Sequence, residues 1–128
     1  MYEWREHESE LELLVDAPTD VLVLRETMAA LAELLGPATG RWQSHAVSLE
    51  AHDRAALLAQ WLEELVFLAE TDLFVPEDAD LVVTGTRLEG TVRGRTGEPR
   101  PLVKAATYHR LEFERRGDSW HARVVLDV

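Results

Sequence analysis

The sequence predicts an α+β fold in which two helices pack on a mainly antiparallel sheet, in the order β-α-β-α-β-β-β. Two segments carry apolar residues at three- and four-residue spacing, which places those residues along one face of a helix. Residues 81–128 are instead strand-like and contain glycine turns, and short turns favour antiparallel pairing. With 128 residues, the chain has the usual length of one domain, which would span residues 1–128.

The first three elements follow from local signals. Residues 11–15 are apolar enough for a short strand, and a turn follows at residues 16–19. Pro18 and Thr19 suit the start of a helix over residues 19–35, while Gly36 and Pro37 suit its end. Residues 41–51 contain neither proline nor glycine and alternate loosely, which predicts a strand.

The second helix is the most hydrophobic segment of the chain. Asp53 suits its N-cap, and the helix is predicted over residues 54–70. Its apolar stripe lies opposite three glutamates and consists of Leu57, Leu58, Trp61, Leu62, Leu65, Val66 and Leu68. This stripe predicts a core helix, with a partner-binding face as the alternative.

The remaining segments predict strands. Residues 81–87 form one strand, and Gly90, Gly94 and Gly97 indicate a loop or a loosely paired hairpin. Residues 103–114 alternate cleanly, which places His109 on the apolar face as a core histidine. A hairpin turn at 115–118 then leads into a last strand from Trp120 onwards.

Charge and composition exclude several classes of protein. The formal net charge is −11, with 24 acidic and 13 basic residues, so direct nucleic-acid binding and docking on anionic lipid are not expected. The acids concentrate in residues 1–80, which carry 18 acidic and 4 basic side chains. Cysteine is absent, which excludes disulfides and thiolate ligands. The charged N-terminus does not resemble a secretory signal and no apolar run reaches membrane-spanning length, so we expect a soluble cytoplasmic protein.

Short motifs leave two kinds of site open. Residues 93–97 (R-G-R-T-G) are either a phosphate-binding loop or a solvated hairpin loop. Glu6, Glu8, Glu10 and Glu12 would share one face if the first strand extends back that far. Such a row, like Asp127 with the carboxylate of Val128, is either a hard-metal site or a solvated acidic surface.

Three segments carry a family resemblance. Residues 103–109 (V-K-A-A-T-Y-H), followed by Leu111, resemble the archease signature V-K-A-V/A-T-Y-H-x-L/M. Residues 120–128 (W-H-A-R-V-V-L-D-V) resemble the archease terminus W-x-A-x-V-x-F-D-I/V. Residues 61–68 (W-L-E-E-L-V-F-L) are similar to the family's W-L-N-E-L-L-F/Y-L. At the N-terminus the family has H-T-A-D, and alignment from His7 places Glu10 where the family has its Asp.

The resemblance implies a function. Archeases activate the RtcB-type RNA ligase of tRNA splicing and RNA repair by promoting its guanylylation and its multiple turnover, and they are not enzymes themselves. Their metal carboxylates correspond to Glu10, Asp127 and the α-carboxylate of Val128, for calcium or alternatively magnesium or manganese. Their functional lysine corresponds to Lys104, the only lysine. In a regular strand Lys104 and Tyr108 share a face, and His7 and His109 belong to the same motifs.

Two other classes of function remain as alternatives. One is a chaperone or adaptor for a different protein client, because the N-terminal motif departs from the family pattern. The other is a metal-dependent hydrolase that uses Glu10 and Asp127, although the chain lacks a His or Cys constellation for nucleophilic catalysis.

Overall fold

The computed structural model describes residues 1–100 and 103–128, which form seven strands and two helices. In chain order these are β1 (Tyr2–His7), β2 (Glu10–Ala17), α1 (Asp20–Leu35), β3 (Trp42–Glu50), α2 (Arg54–Asp72), β4 (Phe74–Thr84), β5 (Arg87–Thr96), β6 (Ala105–Arg116) and β7 (Ser119–Asp127). The predicted order is confirmed, with two additional strands, β1 before it and β5 after β4.

The strands pair antiparallel in two sheets. One sheet has the order β1-β2-β7-β6 and the other has the order β3-β5-β4. Helix α1 contacts β2 and β4, and α2 contacts β6 and β4, so the helices lie against both sheets. Neither α1 nor α2 is long and apolar enough to cross a membrane.

Both helices begin at their predicted caps, and α1 also ends as predicted, whereas α2 continues to Asp72, two residues beyond the predicted end. The Thr19 hydroxyl accepts a hydrogen bond from the Leu22 N–H (3.1 Å), and the Asp53 carboxylate accepts one from the Ala56 N–H (2.7 Å). These bonds satisfy backbone donors that a helix leaves unpaired in its first turn. Helix α1 ends at Gly36, whose φ of 90° is accessible mainly to glycine.

The apolar stripe of α2 forms the centre of the core. Trp61 is completely buried, and its indole N–H donates to the Leu24 carbonyl of α1 at 2.9 Å. Leu57, Leu58 and Leu65 are also fully buried. The prediction of a core helix is therefore confirmed for this stripe.

Strand β5 differs from the expected loop or loose hairpin, because it is the central strand of the three-stranded sheet. Its glycines allow β4 to approach closely. A Cβ added at Gly90 would lie 1.9 Å from the Asp80 carbonyl oxygen, and one at Gly94 would lie 2.0 Å from that of Val75. The glycines that suggested a loop are thus required by close strand pairing.

Candidate functional site at the end of the four-stranded sheet

One residue from each strand of the four-stranded sheet lies in a row at one end of that sheet. His7 pairs with Glu10, Glu10 pairs with Asp127, and Asp127 pairs with Ala105. Residues paired in this way project from the same face. Leu13 and Val124, a pair three residues further along, and Leu126 are all buried in the core, so Glu10 and Asp127 project from the outer face. We call Glu10, Asp127 and Val128 the carboxylate edge.

Backbone hydrogen bonds hold the carboxylate edge in place. The Lys104 N–H donates to the Asp127 carbonyl at 2.8 Å, and the Val128 N–H donates to the Ser9 carbonyl at 3.0 Å. The three residues of the edge are half-buried. Of the three, only Val128 lines a neighbouring open depression of about 500 Å³, together with Glu6, Glu8 and Leu11. The fold therefore brings Glu10 and the last two residues together, as the resemblance implies.

The carboxylate edge lacks internal cations. Further along the same face, Glu12 lies 3.7 Å from Arg110 and 4.0 Å from Arg123, and Asp16 lies 2.7 Å from His121. In residues 1–100 and 103–128, the Glu10 and Asp127 carboxylates have no such partner. Two adjacent carboxylates without a counter-ion favour the binding of a cation.

The donor set suits a hard cation only in part. Oxygen ligands of this type are those that calcium, magnesium and manganese prefer. Within the described residues, no three His, Asp or Glu side chains are grouped so that they could hold a metal ion. Glu10 and Asp127 thus need a third donor, which the α-carboxylate of Val128 or a group on a partner would supply.

The acidic row expected near the N-terminus does not occupy one face. The chain reverses at Glu8, whose φ is 56°, and Ser9, so Glu6 belongs to β1 while Glu10 and Glu12 belong to β2. Glu6 pairs with Leu11, which places it on the opposite face from Glu10. The prediction that Glu6 extends the row is wrong because a hairpin, rather than one long strand, forms here.

Lys104 lies immediately before β6, beside the second helix. It is exposed and lines a cavity of about 180 Å³ together with Leu62, Val66, Glu63 and Glu70 of α2. Its backbone N–H donates a hydrogen bond to the backbone carbonyl of Asp127, a residue of the carboxylate edge. The structure therefore places Lys104 between the edge and two glutamates of α2.

A bulge in β6 separates Tyr108 and His109 from the regular strand. Thr107 pairs with Val125 and Glu112 pairs with Arg123, so the four residues between them face a single residue of β7. Arg110 within the bulge has a φ of 54°. The expectation that Lys104 and Tyr108 share a face assumed a regular strand, and it stays a prediction because Tyr108 is the first residue of the bulge. Sequence alternation continues through residues 103–114 and thus carries no signal for this bulge.

The bulge also overturns the prediction for His109. Tyr108 is 57% exposed and His109 is exposed as well, so His109 is not a core histidine. The bulge directs both side chains to the surface of the molecule, near the end of the sheet that carries the carboxylate edge.

Residues 93–96 of the glycine-rich motif belong to strand β5 rather than to a loop. The Arg93 guanidinium donates to the carboxylates of Asp78 (2.9 Å) and Asp80 (2.7 Å). Its hydrogen bond holds the pKa of the Asp78 carboxyl below its ordinary value. These contacts occupy the cation that a phosphate would require, and the structure does not support a phosphate site here.

Comparisons with known proteins give a consistent result. The model of the Archease protein family (MTH1598/TM1083) matches residues 2–128. Protein archease of Methanopyrus kandleri is 33% identical, and the match covers 88% of this chain and 87% of that protein. Protein archease of Methanosarcina acetivorans is 26% identical, and the match covers 99% of this chain and 95% of that protein.

Two solved structures share the fold. The solution structure of Methanobacterium thermoautotrophicum protein 1598 has a TM-score of 0.73 and 22% identity, over 99% of this chain and 98% of that one. The crystal structure of an archease from Thermotoga maritima, described as a possible chaperone, has a TM-score of 0.66 and 23% identity. That match covers 100% of this chain and 98% of the Thermotoga chain.

Proposed function

This chain belongs to the archease family, and we propose that it activates an RtcB-type RNA ligase by promoting guanylylation and repeated turnover of the ligase. It is an accessory protein rather than an enzyme. The observation that supports this proposal most directly is the register of Glu10 against Asp127, which aligns at one end of a sheet two carboxylates that form no ion pair among the described residues. A site of this kind is suited to act together with a second protein.

We propose that the carboxylate edge holds a divalent metal ion, with Glu10, Asp127 and the α-carboxylate of Val128 as the ligands. Calcium follows from the family resemblance, and magnesium or manganese would accept the same oxygen donors. A bound ion would neutralise the edge and offer a positive charge to oxygen groups of the ligase. Glu10 is one methylene longer than the family's aspartate, which lets its carboxylate reach further from the sheet.

The surface around this site suits a basic partner. The net charge of −11 and the acids Glu6 and Glu8 beside the carboxylate edge favour approach to a cationic cleft. An RNA ligase needs such a cleft to bind phosphates. Complementary charge raises the rate of encounter more than it raises affinity, so the acidic surface would speed the formation of the complex.

Four further residues are proposed to contact the ligase. Lys104 lies beside the edge, and His7 is the outermost member of the row that contains Glu10. Tyr108 and His109 project from the β6 bulge into solvent. Among them, Tyr108 belongs to the aromatic residues that are enriched at protein interfaces.

The proposal is tested by measuring guanylylation of an RtcB-type ligase with GTP and metal, with and without this protein. We expect Glu10→Ala combined with Asp127→Ala to lower the stimulation by at least about 10-fold, since loss of even a hydrogen-bonding partner of a metal ligand typically costs about 10–100-fold. Asp118→Ala is the matched control, because Asp118 lies in the turn between β6 and β7, at the opposite end of β7 from Asp127. Stimulation that is unchanged in the double variant would show that the metal site is not required.

A different protein client is the alternative outcome. If the purified chain fails to stimulate any RtcB-type ligase, a pull-down with the wild-type chain should recover another protein. The pull-down should then be repeated with the same double variant as bait. Loss of binding would show that the carboxylate edge contacts a different partner.

A further inference from the structure

Strand β3 has an open edge that differs from the other three sheet edges of the described chain. β1, β4 and β6 are edge strands as well. They carry ionised residues along their length, and β4 and β6 also have irregular pairing. Charges and bulges of this kind protect a sheet edge from pairing with another chain. From Trp42 to Leu49, β3 has neither, and its pairing with β5 is regular over nine residues.

The backbone geometry shows which residues present free hydrogen-bonding groups. The Thr96 N–H donates to the Arg41 carbonyl (2.9 Å), and the Ala51 N–H donates to the Thr86 carbonyl (3.1 Å). Because backbone groups alternate direction along a strand, the odd-numbered residues of β3 face β5. The N–H and C=O groups of the even-numbered residues therefore point away from the sheet. These residues are Trp42, Ser44, Ala46, Ser48 and Glu50.

We propose that this edge pairs with the β3 edge of a second copy of the chain, which joins two three-stranded sheets into one of six strands. A two-fold axis beside Ala46 places Ala46 opposite itself and Ser44 opposite Ser48 of the second copy. This register uses the outward backbone groups of all five even-numbered residues. Shifting the register by two residues in either direction leaves one of these five residues unpaired in each copy, so the hydrogen bonds favour this register.

Side chains along the strand fit this self-pairing. Ser44, Ala46 and Ser48 are small and exposed, so two copies meet there without steric conflict. Trp42 is 51% exposed and would lie opposite Glu50 of the second copy. The Arg95 guanidinium packs on the Trp42 ring, with its central carbon 5.1 Å from the ring centroid. The Glu50 carboxylate of the second copy would thus lie beside the Trp42 ring and one strand away from the Arg95 guanidinium, which also lies 3.4 Å from Glu77 of its own chain. The symmetry repeats this arrangement at the other end.

The second copy is favoured over an unrelated extended peptide by this charge match, since Arg95 lies at one end of the edge and Glu50 at the other. Antiparallel pairing with itself brings these opposite charges together. A single strand pair buries less than the roughly 1,200 Å² of a stable interface. The proposed dimer is therefore weak and concentration-dependent.

Sedimentation velocity over a concentration series tests self-association. We expect the average mass to rise from that of one chain towards that of two. Ala46→Lys should weaken association at least tenfold, because two lysines would meet at the axis. Val82→Lys is the matched control: Val82 is 67% exposed on the edge strand β4, and this change should alter association less than twofold. Circular dichroism checks that both variants are folded.

Disulfide trapping tests the register, because the chain has no cysteine of its own. Directly opposite residues of a hydrogen-bonded pair have Cα atoms about 5.5 Å apart, a distance that a disulfide can bridge. Ala46→Cys should therefore cross-link to itself in a glutathione redox buffer. Ser44→Cys should not, because the two copies of residue 44 would be ~13 Å apart along the strand.

Three results would overturn the proposal. The first is a monomer at every concentration, with no difference between the two cysteine variants. The second is cross-linking of Ser44→Cys in preference to Ala46→Cys, which would require another register. The third is protection of the Ser44 and Ser48 amide protons from exchange only when an extended peptide is added, which would place a peptide at the edge.

Discussion

The carboxylate edge should lower the stability of the protein when no metal is present. Glu10 and Asp127 are directly opposite across β2 and β7, and like charges in this position repel. At a separation of ~6 Å in a solvent-like dielectric, the repulsion is about 0.7 kcal/mol. We therefore expect Asp127→Asn to raise the free energy of unfolding by about 0.5–1 kcal/mol and the melting temperature by about 2–4 °C.

A bound metal ion should instead make wild type more stable than Asp127→Asn. A ligand at 100 times its dissociation constant stabilises the folded state by about 2.7 kcal/mol. Wild type gains this stabilisation in millimolar calcium, and Asp127→Asn loses most of it because a charged ligand is missing. The variant should thus be more stable than wild type in chelator and less stable in metal.

Thermal unfolding followed by circular dichroism measures both differences. The repulsion should shrink in 1 M salt, where the screening length is about 3 Å. Asp118→Asn removes the same charge from the β6–β7 turn and should show no reversal. If calcium, magnesium and manganese each stabilise wild type and Asp127→Asn equally, or stabilise neither, the assignment of Asp127 as a metal ligand is refuted.

Three further outcomes follow from the core and the sheet edges. Trp61→Ala should lower the free energy of unfolding in urea by about 3–5 kcal/mol, whereas Phe67→Ala, at a position 56% exposed on the same helix, should cost less than about 1 kcal/mol. Gly94→Ala should cost about 1–3 kcal/mol in the same assay, because the added Cβ would collide with the β4 backbone. The hydrogen bond from the Tyr2 hydroxyl to the Glu33 carboxylate raises the pKa of Tyr2 from 10.0 to about 12. Stability from this bond should be present below pH 10 and lost as the pH rises towards 12, and urea unfolding of Tyr2→Phe should lack this pH dependence.

Local signals in the sequence were sufficient to predict where the two helices begin. Thr19 and Asp53 form the expected caps, and the apolar stripe around Trp61 is buried as expected. Strand β1 was not predicted, because Glu3, Arg5 and Glu6 obscure the alternation of Tyr2 and Trp4, which pack against the core. The close approach of β4 to Gly90 and Gly94 depends on tertiary pairing, which no local pattern reveals.

The candidate site was predictable only through motif resemblance. Glu10 and Asp127 are separated by almost the whole chain, and only the pairing of β2 with β7 makes them neighbours. The prediction for His109 in the β6 bulge was wrong, because the sequence alternates there as in a regular strand. In the structure Arg110 adopts a left-handed conformation and the strand pairing shifts. A register shift of this kind arises from strand pairing rather than from local preference.

The central position of β7 has a consequence for biosynthesis. β7 lies between β2 and β6 in the sheet. In the sequence, however, about 100 residues separate the end of β2 from the start of β7. At a synthesis rate of about 5–20 residues per second, β2 waits roughly 5–20 s for its neighbour to be made. During that time the apolar side chains of Leu13 and Val15 lack their final packing partners in β7. A growing chain with this apolar surface exposed is prone to aggregate.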